Sequence, residues 1–396
     1  MSIGGAADTA PRVPFYNDPK VRSIAYQVAL CAIIGFLVYS AVDNAVVNLR
    51  RAHIASGLGF WNNTAGFDIS QTLIPYDSQT STYGRAFWVG LLNTLLVAGL
   101  GIVFATIIGF IIGIGRLSKN WLVSHACAGY VETIRNIPLL LQLLFWYNGV
   151  LKALPDVRDS YTLPFHIFLN NRGLIMPKPV AQSGATIMWL LVFAGLIAAI
   201  VFRFWAKRRQ EATGAQAPVF LVELGLVIVP ALIYVLIAGF PYTFDIPQRG
   251  RFNLTGGIDL APEFAALLLG LSLYTAAFIA EVVRAGILAV SRGQTEAAYA
   301  LGLKPGITLR LIVLPQAMRV IIPPLTSQYL NLTKNSSLAV AIGYPDLVQV
   351  FTGTVLNQTG QAVEVVAITM AVYLVISLAT SLAMNIYNRR VALVER

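Results

Sequence analysis

The sequence predicts an all-α polytopic membrane protein with about eight transmembrane helices, and three observations lead there. First, 57% of the 396 residues are hydrophobic and only 12% are charged, about half the roughly 25% charged share of a soluble domain. Second, runs of about 18 or more predominantly apolar residues recur along the chain, longer than the elements of a soluble core need. Third, lysines and arginines cluster at the ends of those runs. The formal net charge of +10 therefore reads as a topology signal rather than a nucleic-acid footprint. Cys31 and Cys127, the two cysteines, both lie in apolar segments, which excludes a disulfide framework and a cysteine metal site.

Polar residues 1–22 precede a first apolar run that is too long for a signal-peptide core and reads as a retained span. In order, membrane helices are expected at about Ile24–Val47, Phe87–Ile114, His125–Leu151, Gly184–Phe202, Val219–Phe240, Phe264–Leu288, Leu325–Ile342 and Val365–Tyr387. Each can cross a hydrocarbon layer of about 30 Å at about 1.5 Å per residue. Glu132, Arg135 and Pro138 interrupt the third, and Lys334 and Asn335 interrupt the seventh.

Orientation follows from the Lys and Arg census of the loops. With the N-terminus inside, the inner segments carry Arg12, Lys20, Arg22, Arg116, Lys119, Arg203, Lys207, Arg208, Arg209, Arg284, Arg292, Lys304, Arg310, Arg319, Arg389, Arg390 and Arg396. The outer loops carry Arg50, Arg51, Arg85, Lys152, Arg158, Arg172, Lys178, Arg249 and Arg251. The excess predicts that both termini are cytoplasmic. Composition shifts between Pro155 and Pro262, where two spans and two polar outer loops look like an insertion into a more compact helical core.

The longest inner loop carries the strongest local signal. Ser291 and Gln294 have capping-box spacing, and Gly302 suits a helix stop. Between them a short helix of roughly 15 Å is expected, faced with alanines and one carboxylate, Glu296. Small side chains admit another backbone closely, and a single anion can fix register on a basic partner. Spacing alone leaves two readings open: a docking element for a second protein, or an amphipathic connector on the membrane surface.

The residues themselves weigh toward the first. Glu296-Ala297-Ala298, with Leu301 and Gly302 following and Ile312-Val313-Leu314-Pro315 further on, resembles the EAA loop of ABC importer permeases. Tyr130 to Leu140, Ala280 to Gly286 and Leu332 to Leu338 are similar to segments of the polar amino-acid (histidine/glutamine/arginine) branch of that family. The N-terminal Phe15 to Arg22 and the enlarged span count resemble the Q-type permeases of the general L-amino-acid transporters (Aap or Bzt type). The resemblance implies a type I ABC importer permease core with an inserted helix pair. Residues 1–85 would form an N-terminal tail, a first span and a periplasmic loop. Residues 86–390 would form the permease transmembrane domain, with the insertion at about 155–262 and the coupling loop at 291–315, and 391–396 a cytoplasmic tail.

It further implies a subunit of the bacterial inner membrane that carries L-amino acids and lines half of the translocation pathway. Its coupling residues would be Glu296, Ala297, Ala298, Leu301, Gly302 and Pro315. The implied partners are a second, related permease, an ATP-binding cassette ATPase dimer and a periplasmic substrate-binding protein. ATP and Mg²⁺ belong on the ATPase: no GxxxxGK[ST] loop exists in this chain to cradle phosphates, and it holds no cofactor of its own. Neither HExxH nor GxSxG is present, and His53, His125 and His166 lack ligand spacing, so no enzyme is read here.

Ionisable residues at bilayer depth are functional candidates because insertion costs several kcal/mol. Glu132 and Arg135, and likewise Glu281 and Arg284, are three apart and share a helix face. A zwitterionic amino acid needs opposed charges or dipoles in a dry cavity. Arg135 and Glu281, with Lys334, Asn335, Ser336 and Ser337 where the seventh span is expected to break, form the candidate substrate pathway. The competing reading of such intramembrane charges is an ion-coupled secondary amino-acid transporter.

Overall fold

The computed structural model describes residues 19–51, 56–250 and 253–391. Phe15–Asp18 of the N-terminal resemblance, Arg251 and the C-terminal residues 392–396 lie outside the described residues. The chain is dominated by helices. Among the described residues seven are long and apolar enough to span a membrane: Pro19–Asn44 within α1 (Pro19–Arg51), α2 (Tyr83–Gly115), α5 (Ala185–Thr213), α6 (Val219–Ala238), α7 (Pro262–Leu288), the run Pro305–Ile342, and Ala362–Arg389 within α12 (Ala362–Val391).

The expected third span is bent rather than continuous. It divides into α3 (Trp121–Asn136) and α4 (Leu139–Leu144), the latter running on as a π-helical turn over Phe145–Leu151. Ile137 and Pro138 take extended ψ values of 127° and 135°, because proline supplies no N–H and disfavours α-geometry before it. Gln142 repairs the break. Its Nε2 donates to the Ile134 and Ile137 carbonyls at 2.8 and 2.9 Å, which the interrupted helix leaves without amide partners.

The seventh span is assembled from pieces: α9 (Pro305–Thr308), a π turn over Leu309–Val313, α10 (Leu314–Asn335) and a 3₁₀ segment over Ser336–Ile342. α8 (Arg292–Ala300) precedes it, and α11 (Leu356–Thr359) follows a further π turn at Val348–Val355.

The core is α2 and α10 packed on α7, with α3 and α12 outside them. α2 and α7 meet through small residues: Ala276, Ala277 and Ala280 of α7 are fully buried. A Cβ on Gly109 would fall 2.6 Å from Ile279, and one on Gly113 2.7 Å from the Ala280 carbonyl. Only hydrogen at those two positions permits so close an approach. A second cluster joins α2, α7 and α10 through Ala98, Ala105, Ile279, Val283, Ala317 and Ile321. A third seals the end where α2 begins, with Phe60, Phe87 and Phe351 interlocked at centroid distances of 5.2–6.3 Å.

The loop before α2 is also tied down. Tyr76 OH donates to the Phe67 carbonyl at 2.8 Å, and burial pushes its phenol up to about 12. The Asp77 carboxylate accepts from the Gln79 and Thr80 amides and the Thr80 hydroxyl, which hold it below the usual carboxylate range.

Residues 155–262 form a hairpin of spans topped by strands. β1 (Tyr161–Leu163), β2 (Ile167–Asn170), β3 (Gly173–Met176) and β8 (Ile258–Leu260) make an antiparallel sheet in the order β1-β2-β3-β8. β4 (Lys178–Ala181) pairs with β5 (Tyr242–Asp245), and β6 (Gln248–Arg249) with β7 (Leu254–Thr255). At two to four residues each, these strands are too short to be read from the sequence of the polar loops that hold them. β4 leads into α5 and β5 leaves α6. α5 and α6 pack chiefly on each other, and Arg203 donates through Nε and Nη2 to both Glu223 oxygens at 2.7 and 2.9 Å.

Candidate functional site

The coupling candidates and the charged candidates Arg135 and Glu281 lie at the same end of the core. α2 runs toward Arg116, and the loop after α7 begins a few residues past Arg284. Arg116 reaches Glu281 of α7, and Gly113 packs on Ala280 and Val283, so α2 and α7 end on the same side.

The first region is the loop. α8 begins after Ser291, as the spacing predicts, but the hydroxyl does not cap it. The contact at that turn is instead between the Gln294 amide and the Ser291 carbonyl, at 3.1 Å. At the other end Gly302 takes φ +75°. The Gly302 amide donates to the Tyr299 carbonyl at 2.9 Å and the Leu303 amide to the Ala298 carbonyl at 3.1 Å, a Schellman pair. Ala298 is buried against the chain's own π turn. Glu296, Ala297, Tyr299 and Ala300 are exposed, and Leu301 is 81% exposed. α8 thus spends one small residue on anchoring itself and presents an alanine-lined face with a leucine, a tyrosine and a carboxylate. Pro315 lies at the start of α10, directly after the π turn over Leu309–Val313.

The second region is a cluster of charges at the same ends of the spans. Glu281 of α7 accepts from Arg284 one turn on, and also from Arg116, just past the end of α2. Arg116 reaches Glu132 of α3 as well, at 3.7 Å. The expected Glu281–Arg284 contact is present. Glu132 and Arg135, by contrast, do not pair. Arg135 lies over the Phe278 ring at 5.1 Å, where a guanidinium is attracted by the π face. Alternating charges thus link α2, α3 and α7, and Arg116 joins two carboxylates. Sequence reasoning missed Arg116 as part of this cluster, because a basic residue at a span end already satisfies the topology rule. Tyr130 adds a further tie from α3, donating to the Leu273 carbonyl at 2.6 Å.

The remaining pathway candidates sit elsewhere. Lys334 is exposed and Asn335 half-buried at the last turn of α10. Ser336 is buried, and its hydroxyl turns back to the Thr333 carbonyl, as that of Ser337 does to Lys334, both at 2.7 Å. The helix tightens from α to 3₁₀ at Ser336. The structure brings Arg135 and Glu281 into one neighbourhood and groups Lys334, Asn335, Ser336 and Ser337 at a second. Beside this second group Asp346 is buried, accepting from the Gln349 amide at 2.8 Å and from Tyr373 OH at 3.2 Å. The Thr94 hydroxyl accepts from the Leu347 amide at 3.0 Å. These buried bonds tie α2 and α12 to the segment after α10, and only tertiary structure brings them together.

Residues 101–393 match the family described as binding-protein-dependent transport system inner membrane component, and the chain belongs to that family, the permeases of ABC importers. This membership supports the importer reading over the ion-coupled alternative. The chain is 54% identical over 379 residues to the general L-amino acid transport system permease protein AapQ of Rhizobium johnstonii, covering 96% of this chain and 94% of that one. It is 51% identical to the putative amino-acid ABC transporter permease protein YhdX of Escherichia coli, over 96% and 97% of the two chains. The glutamate/glutamine/aspartate/asparagine permease BztB of Rhodobacter capsulatus is 44% identical, over 96% of each.

Proposed function

We propose that this chain lines half of the translocation pathway of an ATP-driven L-amino-acid importer and takes its motion from a separate ATPase through α8. The observation that carries the reading is Leu301, 81% exposed beside Glu296 and Tyr299 on a short helix outside the spans. A leucine so displayed in water gains by entering a cleft on a partner, at about 25 cal/mol per Å² of apolar surface covered. The lysine and arginine asymmetry supports placing this loop, with both termini, on the cytoplasmic side of the bacterial inner membrane. ATP and Mg²⁺ then belong to the ATPase dimer, and a substrate-binding protein delivers the amino acid from the periplasm. A second, related permease completes the pathway. The names of the relatives support L-amino acids as the substrate class.

In this reading closure of the ATPase dimer pushes α8 and its π-turn anchor against α10, while the Arg116–Glu281–Arg284 cluster keeps α2, α3 and α7 in register. Arg135 and Glu281 remain the proposed contacts for the carboxylate and ammonium of the substrate, with Lys334, Asn335, Ser336 and Ser337 as the second polar group along the path.

The test is reconstitution of the permease pair, ATPase and binding protein in liposomes with a cysteine at Leu301. Crosslinking of the ATPase by a photoreactive maleimide placed on that cysteine, ATP-dependent uptake of a labelled amino acid, and loss of uptake without the binding protein are expected. Uptake by the permease pair without the ATPase would overturn the reading.

A further inference from the structure

The inserted hairpin carries a feature that neither transport nor coupling uses. Between α5 and α6 lies a groove of about 340 Å³. Leu196, Ala199, Ile200, Leu224 and Val227 line its length, and Ala199 is small enough to leave it open. Polar atoms enter at one end only, where Arg203 meets Glu223. Arg203 stands about 27 Å along α5 from its first residue at about 1.5 Å per residue, near the far edge of a hydrocarbon layer about 30 Å thick.

The charges beyond that edge do not cancel. Glu223 takes Nε and Nη2 of Arg203, and Glu211 pairs with Lys207 at 3.8 Å. Arg208 and Arg209 follow on the same end of α5 with no further carboxylate among these pairs. The Arg209 guanidinium lies over the Trp205 ring at 5.3 Å, and Trp205 and Phe220 are exposed at this level, as side chains at a headgroup boundary are. An apolar slot that ends below two uncompensated arginines has the two-part chemistry of one ligand class. We propose that the α5–α6 groove is a binding site for an anionic phospholipid. One acyl chain lies along Ala199 and Leu224, and the phosphate sits beyond the Arg203–Glu223 pair, where the long Arg208 and Arg209 side chains can reach it.

A topology signal alone needs the charge but not the groove, so the two can be separated. The assembled transporter is purified, and retained lipid is read by native mass spectrometry after exchange into phosphatidylglycerol, phosphatidylcholine or the headgroup-only probe glycerol 3-phosphate. Phosphatidylglycerol is expected to bind about thirtyfold tighter than phosphatidylcholine, each uncompensated arginine contributing about fivefold near an anionic headgroup. Ala199→Phe, which fills the slot, and separately Arg208→Gln with Arg209→Gln should each remove most of that preference. Leu224→Trp fills the same slot from the other helix should Ala199→Phe fail to insert. Equal retention of the two lipids, or undiminished phosphatidylglycerol binding in the filled-groove variants, would overturn the proposal. Competition by glycerol 3-phosphate as strong as by the lipid would replace it with a free-phosphate site. Transport is not the readout, so none of these outcomes depends on the importer reading.

Discussion

Replacing Gly302 tests the proposed coupling role of α8 through backbone conformation alone. Its φ of +75° closes α8, and a Cβ built there meets no atom within 4 Å. No clash confounds the substitution, so the cost is purely that of holding an L-residue in the left-handed region. That cost is about 1–2 kcal/mol for alanine, more for a β-branched residue and less for asparagine. A penalty of that size lowers the population of the intact helix end by about 5–30-fold. With it go the two amide bonds from Gly302 and Leu303 that orient Leu301. The predicted order of both ATPase co-purification and ATP-dependent uptake is Gly, then Asn, then Ala, then Val. Leu301→Ala, which removes the displayed side chain without touching the backbone, should resemble Gly302→Val. If Gly302→Val assembles and imports like the parent while Leu301→Ala does not, the closing turn has no mechanical part. If neither changes anything, α8 is a mere connector.

Three further outcomes follow from contacts described above. Glu281→Ala leaves Arg116 and Arg284 facing one another without their shared carboxylate, so uptake should fall severalfold; adding Arg116→Ala should cost less than the two single effects summed, measured as a double-mutant cycle on thermal stability. Gly113→Leu forces α2 from α7 at the Ala280 carbonyl and should destabilise the complex by about 1–3 kcal/mol or more, seen as a lower melting temperature. Gln142→Leu, of similar size, strips the Ile134 and Ile137 carbonyls of their donor, at about 1–3 kcal/mol for each group left unpaired; a melting temperature matching the parent would show that the bend needs no such repair.

What the sequence revealed and what it hid divide along a physical line. Spans announce themselves because hydrocarbon forces every exposed side chain to be apolar over a fixed length, which holds even for α6, where no residue is buried by the rest of the chain. The stop at Gly302 was legible because a left-handed residue calls for glycine. The pairing of Glu281 with Arg284 was legible because helical spacing enforces nearness. The Arg116–Glu281, Tyr130–Leu273 and Asp346–Tyr373 contacts join elements far apart in the chain, and no local period encodes such a meeting. The same holds for the eight strands, each of two to four residues, too short for alternation to emerge against polar loops. Glu132 shows the converse error: spacing offered Arg135 as a neighbour, but a longer-range guanidinium and an aromatic ring on α7 claimed the two side chains.

The ribbon of β4 and β5 has a consequence for the chain's modularity. Met176 pairs with Ile258 where β3 meets β8, so the polypeptide departs toward α5 and returns from α6 at adjacent points, about 5 Å apart between Cα atoms in such a ladder. A two-residue Asn-Gly link across that gap would excise the whole hairpin as a cassette and leave β3 turning directly into the strand that feeds α7. Nature or an engineer can thus add, trade or delete the unit at a single seam, without rethreading the bundle beneath it.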